Sequence, residues 1–181
     1  MDLSPTAYVI LGMLRDGPRC GYEIKSAVDN STRFFWAASY GKIYPELRKL
    51  SEAGLIEGRP DARGDRKRVE FKLTAAGRGE LGSWLRRPPE TFELRDEGLL
   101  KLFFSGAVEP EDAAATLRAM REHHRAVVER LREIEPNATA AGDGYPLLVL
   151  RGGIEYNEWL ADWCERMERD VLAEPAEERS A

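Results

Sequence analysis

The segment from Tyr40 to Leu73 constrains the fold more than any other part of the chain. From about Tyr40 to Ala53, apolar residues recur at the spacing of one helix face, and Gly54 then provides a natural helix end. Leu55 to Arg59 and Val69 to Leu73 have the composition of two short strands, and the residues between them are polar. The segment therefore predicts a helix that leads directly into a hairpin with a polar tip.

Helical patterns flank this segment on both sides. Ser4-Pro5 is a helix-start signal and Gly17-Pro18 is a stop signal. A second helix is predicted from about Gly21 to Asn30, and Thr74 starts another helix after the hairpin. The predicted inward positions of the first two helices are Tyr8, Leu11, Leu14, Tyr22, Ile24 and Val28. The order helix, helix, helix, hairpin, helix predicts a winged helix-turn-helix.

Pro88 and Pro89 interrupt the pattern and predict a domain boundary, with a winged helix-turn-helix over residues 1–88 and a helical domain over residues 89–181. The charges divide at the same place. Residues 1–88 hold 16 Lys and Arg against 11 Asp and Glu, whereas residues 89–181 hold 11 against 21. Because salt screens charges over about 8 Å, a basic half can attract phosphates although the whole chain has a net charge of −5.

The second half is predicted to be helical, so the expected fold class is mainly α with a small β-hairpin wing. Helical segments cover about Leu94–Ser105, Glu111–Glu135 and Tyr145–Leu172, with a break from Pro136 to Pro146. Apolar residues of the middle segment follow a 3-4-3-4 spacing, which is typical of a seam that needs a partner helix. The predicted dimerisation residues are Leu117, Met120, His124, Val127, Leu131, Tyr156, Leu160, Trp163 and Met167.

The outward side of the predicted third helix carries candidate DNA-binding residues. Ile43, Leu47 and Leu50 share the opposite, inward side. In a helix-turn-helix the N-terminal part of the second helix enters the major groove, where arginine can read guanine and lysine can hold phosphates. The residues assigned to DNA on this helix are Ser39, Tyr40, Lys42, Tyr44, Pro45, Arg48 and Lys49. Pro45 leaves two possibilities open, a helix that starts near Lys42 or an irregular helix.

The predicted hairpin adds a second cationic surface. Residues 59–68 carry five cations and two acids, and Arg63, Arg66, Lys67 and Arg68 are assigned to DNA phosphates or the minor groove. The alternative interpretation is that this charge run is only a solvated face. Tyr44 likewise has an alternative role, as an amphipathic residue that packs at the edge of the domain.

Four stretches resemble the PadR family of transcriptional regulators. SYGKIYPELRKLSEAGLIEG (Ser39 to Gly58) is similar to that family's recognition helix and following strand, with GYEI (Gly21 to Ile24) upstream and FKLTAAG (Phe71 to Gly77) downstream. LRDEGLLKLFFSG (Leu94 to Gly106) resembles the start of the longer C-terminal domain that the family shares with AphA-like virulence regulators. The resemblance implies a winged-helix domain, a homodimer formed through C-terminal helices, Tyr44 facing DNA, and repression relieved by a small molecule.

Together these features predict a homodimeric, sequence-specific regulator that binds an inverted-repeat operator in double-stranded DNA, and the resemblance implies that it represses transcription. A small aromatic effector is a candidate partner, since aromatic residues near the domain junction could line a pocket. One alternative is a winged-helix module that binds proteins rather than DNA. A small enzyme ranks last, because GxSxG, HExxH, P-loop and dinucleotide motifs are absent from the sequence.

Isolated residues that could suggest other chemistry receive the simpler interpretation. His124 is interpreted as a packed or hydrogen-bonded interface residue, since no set of ligands accompanies it, and Cys20 and Cys164 as inert. We expect no metal and no cofactor. No stretch approaches the roughly 18 apolar residues of a membrane helix, and the chain starts without a signal segment, so we expect a cytoplasmic protein without membrane contact.

Overall fold

The computed structural model describes residues 3–36, 39–60, 69–90, 94–140 and 144–173. The chain forms two compact units, Met1–Phe92 and Glu93–Ala181. Most of the described residues are helical, and three short strands form one antiparallel sheet in the first unit. This confirms the predicted fold class. Within the described ranges, no helix is both long enough and apolar enough to cross a membrane.

The described part of the first unit contains four α-helices. They are α1 (Pro5–Met13), α2 (Gly21–Asp29), α3 (Tyr40–Glu52) and α4 (Ala75–Leu85), with a turn of 3₁₀ helix at Thr32–Phe34. The helix-start signal at Ser4-Pro5 is confirmed, since the Ser4 hydroxyl accepts a hydrogen bond from the backbone N–H of Ala7 at 3.2 Å. Gly54 has a φ of 69°, the left-handed conformation that ends helices, and it follows α3 as predicted.

The core of the first unit is apolar and continuous. Its buried members are Ala7, Tyr8, Ile10, Leu11, Leu14, Ile24, Val28, Ile43, Leu47, Leu50, Ile56, Leu73 and Leu81. The predicted inward positions of the first three helices are confirmed with one exception. The prediction for Tyr22 is wrong, because this side chain is 64 % exposed. Tyr22 lies two residues before the buried Ile24, which places it about 200° away around the helix.

The sheet consists of β1 (Arg19–Cys20), β2 (Ile56–Pro60) and β3 (Val69–Leu73), in the order β1-β3-β2. β2 and β3 form the predicted hairpin, in a register that pairs Ile56 with Leu73. β1 was not predicted, since two residues are too short to show an alternating pattern. The tip of the hairpin, residues 61–68, lies outside the described residues.

Close backbone packing fixes α4 against the hairpin. Thr74 caps α4 by accepting a hydrogen bond from Gly77 N at 3.0 Å, and its hydroxyl donates to the carbonyl of Gly54 at 2.8 Å. A Cβ on Gly77 would stand 2.0 Å from the carbonyl oxygen of Leu55. Only glycine therefore allows this approach, and the first turn of α4 is fixed against the start of the hairpin.

The first and last helices of this unit also contact each other. The ring of Tyr8 in α1 stacks on the ring of Trp84 in α4, with centroids 4.5 Å apart and planes 8° from parallel. The hydroxyl of Tyr8 donates a hydrogen bond to Glu80 of α4 at 2.9 Å. The unit is thus closed by contacts between residues near its two ends.

The second unit contains α5 (Glu97–Phe103), a 3₁₀ turn at Ser105–Ala107, α6 (Pro110–Ala140) and α7 (Gly144–Ala173). α6 and α7 form an antiparallel hairpin, as shown by ion pairs that join Arg118 to Glu168 near one end and Glu135 to Arg151 near the other. The predicted break at Pro136 is wrong, because α6 continues through this residue to Ala140. Pro136 is exposed, so water can reach the carbonyl that loses its helical N–H partner.

The partner of the predicted seam is α7 of the same chain. Leu117, Met120, His124 and Leu131 of α6 and Leu160 of α7 are all buried within one chain. These five side chains are at most 7 % exposed, so little of their surface remains for a second copy, and their role in dimerisation stays a prediction. The seam uses Val128 as its buried position, whereas the predicted Val127 is only half-buried. Tyr156 is exposed, and Trp163 and Met167 are half-buried.

Candidate nucleic-acid interface

α3 has a buried side and an exposed side, as predicted. Ile43, Leu47 and Leu50 are at most 1 % exposed. The exposed residues at the start and on the outer side of α3 include Ser39, Lys42, Tyr44, Pro45, Arg48 and Lys49. Tyr40 begins the helix, but its side chain is not among the described ones. The helix therefore exposes most of its predicted DNA-binding side chains to solvent.

The cations on this side differ in their partners. Lys49 forms an ion pair with Glu46 at 2.9 Å, so its charge is partly neutralised within the helix. Lys42 and Arg48 form no ion pair with any residue that the structure describes. These two charges are the ones that α3 offers to an external anion.

Pro45 is the sixth residue of α3 and lies in its second turn. It therefore does not occupy the first turn, where proline costs nothing, and the carbonyl of Gly41 loses the N–H that a different residue would supply. Both residues are exposed, so water can satisfy that carbonyl. The helix is assigned without interruption from Tyr40 to Glu52.

Tyr44 is held against the first residue of α2. A Cβ placed on Gly21 would stand 2.8 Å from Cε1 of Tyr44 and 3.0 Å from its hydroxyl oxygen. The ring therefore occupies the space that any other residue type would fill with its side chain. Tyr44 is still 51 % exposed, so it packs on α2 with one side and faces solvent with the other. The two alternative roles considered for this tyrosine are compatible with each other.

Tyr22 of α2 is an exposed aromatic residue whose exposure the sequence pattern did not predict. It follows Gly21 directly in α2, and its large side chain is exposed. The signal was available in the helical wheel of α2, because Tyr22 does not share a face with Ile24 and Val28. Tyr22 is thus an exposed aromatic residue that adjoins in sequence the glycine on which Tyr44 packs.

Two family models match the chain, and together they cover most of it. The model described as the transcriptional regulator PadR-like family matches residues 10–83, and the model described as virulence activator alpha C-term matches residues 94–171. The negative transcriptional regulator PadR of Bacillus subtilis is 30 % identical over 168 residues, which are 87 % of this chain and 92 % of that protein. The chain belongs to the PadR-like family of transcriptional regulators.

Two solved structures of the Bacillus subtilis PadR resemble this PadR-like regulator along nearly its whole length. The complex of that protein with operator DNA has a TM-score of 0.85 at 28 % identity, and covers 94 % of this chain and 99 % of that one. Its complex with p-coumaric acid has a TM-score of 0.75 at 28 % identity, and covers 96 % and 100 % of the two chains. The resemblance inferred from the sequence is confirmed for both halves of the chain.

Only part of the hairpin's cationic segment falls within the described residues. Arg59, at the end of β2, forms an ion pair with Glu57 at 3.1 Å. The four wing residues assigned to DNA, Arg63, Arg66, Lys67 and Arg68, lie outside the described residues. Their contact with DNA stays a prediction.

His124 was interpreted as packed or hydrogen-bonded, and Cys164 as inert; both are buried in the PadR-like regulator. His124 Nδ1 lies 2.8 Å from Asn157 Oδ1 on α7, and the amide of Asn157 donates to the carbonyl of Gly153 at 2.7 Å. Because that amide nitrogen is used as a donor, its oxygen is the acceptor and His124 Nδ1 carries the hydrogen. Burial raises the pKa of the Cys164 thiol, which favours its protonated form. Among the described residues, no group of three ligand-type side chains could hold a metal ion.

Proposed function

We propose that this PadR-like regulator binds double-stranded DNA through the outward side of α3 together with the tip of its hairpin. The single observation that carries the proposal is a pair of cations, Lys42 and Arg48, that form no ion pair with any described residue and lie on an exposed helix side whose opposite side is fully buried. A helix so anchored can enter a groove as a rigid body. The complex of the Bacillus subtilis PadR with operator DNA supports the proposal.

Each side chain of this surface receives a role from its chemistry. Arg48 can donate two parallel hydrogen bonds to the edge of guanine, which makes it the specificity-determining cation. Lys42 and Ser39, near the start of α3, hold phosphates and so fix the register of the helix along the groove. Gly41 adds no side chain between these groups, and its exposed position lets the helix approach the DNA closely.

The two tyrosines supply positioned contacts beside the cations. Because Gly21 leaves room for its ring, Tyr44 has a fixed side to pack on and loses little conformational freedom when it meets DNA. Tyr22, at the start of α2, is placed to contact the DNA backbone, since the first helix of a helix-turn-helix crosses it. We assign both hydroxyls to phosphates.

The regulator acts as a homodimer in this proposal. Two copies related by a two-fold axis recognise an inverted repeat, with half-sites about one DNA turn apart. Of the residues predicted for dimerisation, Tyr156 is exposed, and Val127, Trp163 and Met167 keep part of their surface. The second unit is thus the dimerisation domain, and the first unit is the DNA-binding domain.

Bound in this way, the dimer represses transcription, and a small aromatic effector releases it. Support for an effector of this class comes from the complex of the Bacillus subtilis PadR with p-coumaric acid. We place the protein in the cytoplasm, where its DNA is, and assign it no catalytic activity and no cofactor.

Fluorescence anisotropy with a labelled duplex from the region upstream of the regulator's own gene tests the proposal. We expect saturable binding at moderate salt that an unlabelled copy of the duplex, but not unrelated DNA, competes away. Arg48→Ala should weaken binding, whereas Arg166→Ala, a change at an exposed arginine of α7, should not. Equal binding to unrelated DNA, or none at all, would favour a winged-helix module that binds proteins instead.

A further inference from the structure

Two ion pairs join α6 to α7 along one side of the helical hairpin. Arg125 pairs with Glu165 at 3.1 Å, and Arg132 pairs with Glu158. In both pairs the arginine belongs to α6 and the glutamate to α7. The two arginines are seven residues apart in α6, and the two glutamates are seven residues apart in α7. The pairs therefore fix the antiparallel register of the residues between them.

This register brings two further carboxylates to the same side of the hairpin. Between the two ion pairs, Val128 and Glu129 of α6 lie opposite Ala161 and Asp162 of α7. Glu129 and Asp162 are exposed, and neither forms an ion pair or a hydrogen bond with any described residue. The middle of this side thus holds two carboxylates where each neighbouring position holds a carboxylate with its arginine.

Neither helix supplies a cation for these two carboxylates. The residues of α7 between Glu158 and Glu165 include no arginine or lysine. In α6 the single cation of the intervening segment is Arg130, and it pairs with Glu133 of its own helix at 2.8 Å. Two like charges that face each other without a counter-charge are unfavourable, so this part of the hairpin attracts a cation from solution.

An open cleft of about 420 Å³ lies at the same place. Its floor consists of Val128 and Ala161, which are 7 % and 4 % exposed. Its walls are charged, and they consist of Arg125, Glu129, Arg132, Glu158 and Asp162. Sites for small ligands have volumes of about 300–1,000 Å³, so the cleft has room for a small organic molecule.

We propose that this cleft binds an aliphatic diamine, with one ammonium group at Glu129, the other at Asp162, and the methylene chain over Val128 and Ala161. Packed helices have axes about 8–10 Å apart, so carboxylates on facing helices are separated by a distance that a chain of about five methylene groups spans. Each ammonium donates charge-assisted hydrogen bonds to its carboxylate. The inference goes beyond the proposed function and does not depend on DNA binding.

The arrangement favours a diamine over other cations. Among the described residues, no group of three ligand-type side chains could hold a metal ion, so a compact divalent cation lacks its ligands. A monoamine neutralises one carboxylate and leaves the other without a counter-charge. Because one contact to an exposed carboxylate contributes little affinity, both contacts must form in the same molecule.

Isothermal titration calorimetry of the full chain at low salt tests the inference, with cadaverine, the five-carbon diamine, as the probe. We expect saturable binding of one molecule per chain. Pentylamine, which has the same carbon chain and one ammonium group, should bind about 10-fold more weakly or worse. Ethylenediamine should also bind at least about 10-fold more weakly, because its two ammonium groups are too close together to reach both helices.

Two variants of the cleft and two control variants locate the site. Glu129→Gln and Asp162→Asn should each weaken cadaverine binding by about 10-fold, because each removes one of the two ionic contacts. Glu122→Gln in α6 and Asp170→Asn in α7 make the same chemical changes at exposed positions outside the cleft, and they should bind cadaverine as the native chain does. Far-ultraviolet circular dichroism should show folded chains throughout.

Urea denaturation provides a second measurement. A ligand that joins α6 to α7 binds the folded chain and not the unfolded one, so cadaverine should raise the urea midpoint of the native chain. It should not raise the midpoint of the variant that combines Glu129→Gln with Asp162→Asn. The inference is overturned if cadaverine does not bind the native chain, if pentylamine or ethylenediamine binds equally well, or if the cleft variants keep the native affinity.

Discussion

The ring of Tyr44 in α3 lies where the side chain of residue 21 in α2 would be, and Gly21 makes that possible. A Cβ on Gly21 would stand 2.8 Å from Cε1 of Tyr44, well inside van der Waals contact. The first residue of one helix thereby sets the position of an aromatic side chain on the next. A change at Gly21 should alter DNA binding although Gly21 offers no side chain to DNA.

Gly21→Ala should lower operator affinity by about 10-fold, because Tyr44 must rotate away from its packed position. This loss should be smaller than the loss caused by Tyr44→Ala, which removes the ring. The unit should stay folded, since Tyr44 is half-exposed and can move. Anisotropy titrations of Gly21→Ala, Tyr44→Ala and the double variant form a double-mutant cycle. If Gly21 acts through Tyr44, the double variant binds no worse than Tyr44→Ala alone. Additive losses would show that Gly21 has a separate role.

Arg48→Ala and Lys42→Ala should weaken DNA binding in different ways. Loss of Arg48 should cost about 1–3 kcal/mol and relax the preference for one base pair of each half-site. Loss of Lys42 should weaken binding to all sequences alike and reduce the salt slope by about 1 per site. Titrations at several salt concentrations against the operator and single-base variants distinguish the two. Identical behaviour of both variants would contradict the assigned roles.

Replacing Arg63, Arg66, Lys67 and Arg68 together by alanine should make DNA binding much less dependent on salt. Each phosphate contact contributes about −0.9 to the slope of log affinity against log salt concentration, so the loss per copy should be roughly 2 to 4. A variant of equal charge change in the second unit, at Arg166 and Arg169 with two further exposed arginines, serves as the control. An unchanged salt slope would mean that these wing residues are only a solvated surface.

Gly77→Ala should destabilise the first unit by about 2 kcal/mol or more, because its methyl group would stand 2.0 Å from the carbonyl oxygen of Leu55. Gly79→Ala provides the opposite case two residues later in α4. Gly79 is exposed and has no heavy atom within 4 Å of its Cβ position. This change should stabilise the protein by roughly 0.5–1 kcal/mol. Urea denaturation gives both free energies of unfolding, and equal effects would contradict the packing.

Glu168 should make the second unit lose stability in acid. The hydrogen bond from Arg118 holds the pKa of Glu168 below its ordinary value of 4.5, although burial opposes this, and the charges of Arg121 and Arg118 add to the lowering. The contribution to stability is therefore full above about pH 4.5 and is lost as the pH falls through the lowered pKa. Glu168→Gln should unfold at lower urea than the native chain at pH 7, with the difference shrinking towards pH 3. Glu155→Gln, at an exposed position, is the control.

Local patterns were enough to predict the α-helices and the hairpin of the first unit. The spacing of Ile43, Leu47 and Leu50, the stop at Gly54 and the Thr74 cap each depend on a few neighbouring residues, and the structure shows all of them as expected. β1 was missed because its two residues gain strand geometry only by pairing with β3, which lies some 50 residues later in the sequence. The contact between Gly21 and Tyr44 was missed for the same reason, because it joins residues of two different helices and leaves no local pattern in the sequence.

The second unit shows where a periodic pattern stops being informative. The spacing of Leu117, Met120 and His124 correctly indicated a helix that needs a partner, but a heptad pattern does not say which chain supplies it. The structure supplies α7 of the same chain. In α7 itself, Tyr156 and Leu160 belong to one predicted stripe, yet Tyr156 is exposed and Leu160 is buried. The helix has two neighbouring apolar sides, and their residues alternate along the sequence, so the spacing alone does not separate them.

The stacked pair of Tyr8 and Trp84 has a consequence for how the protein is made. α1 is synthesised first, but the ring and the carboxylate that contact Tyr8 belong to α4, more than seventy residues later. While the ribosome is still translating the hairpin, α1 therefore exposes part of its apolar surface and cannot complete the core. Folding of the first unit waits for Trp84 to emerge, so a nascent chain that stalls just before this residue would be a target for chaperones and proteases.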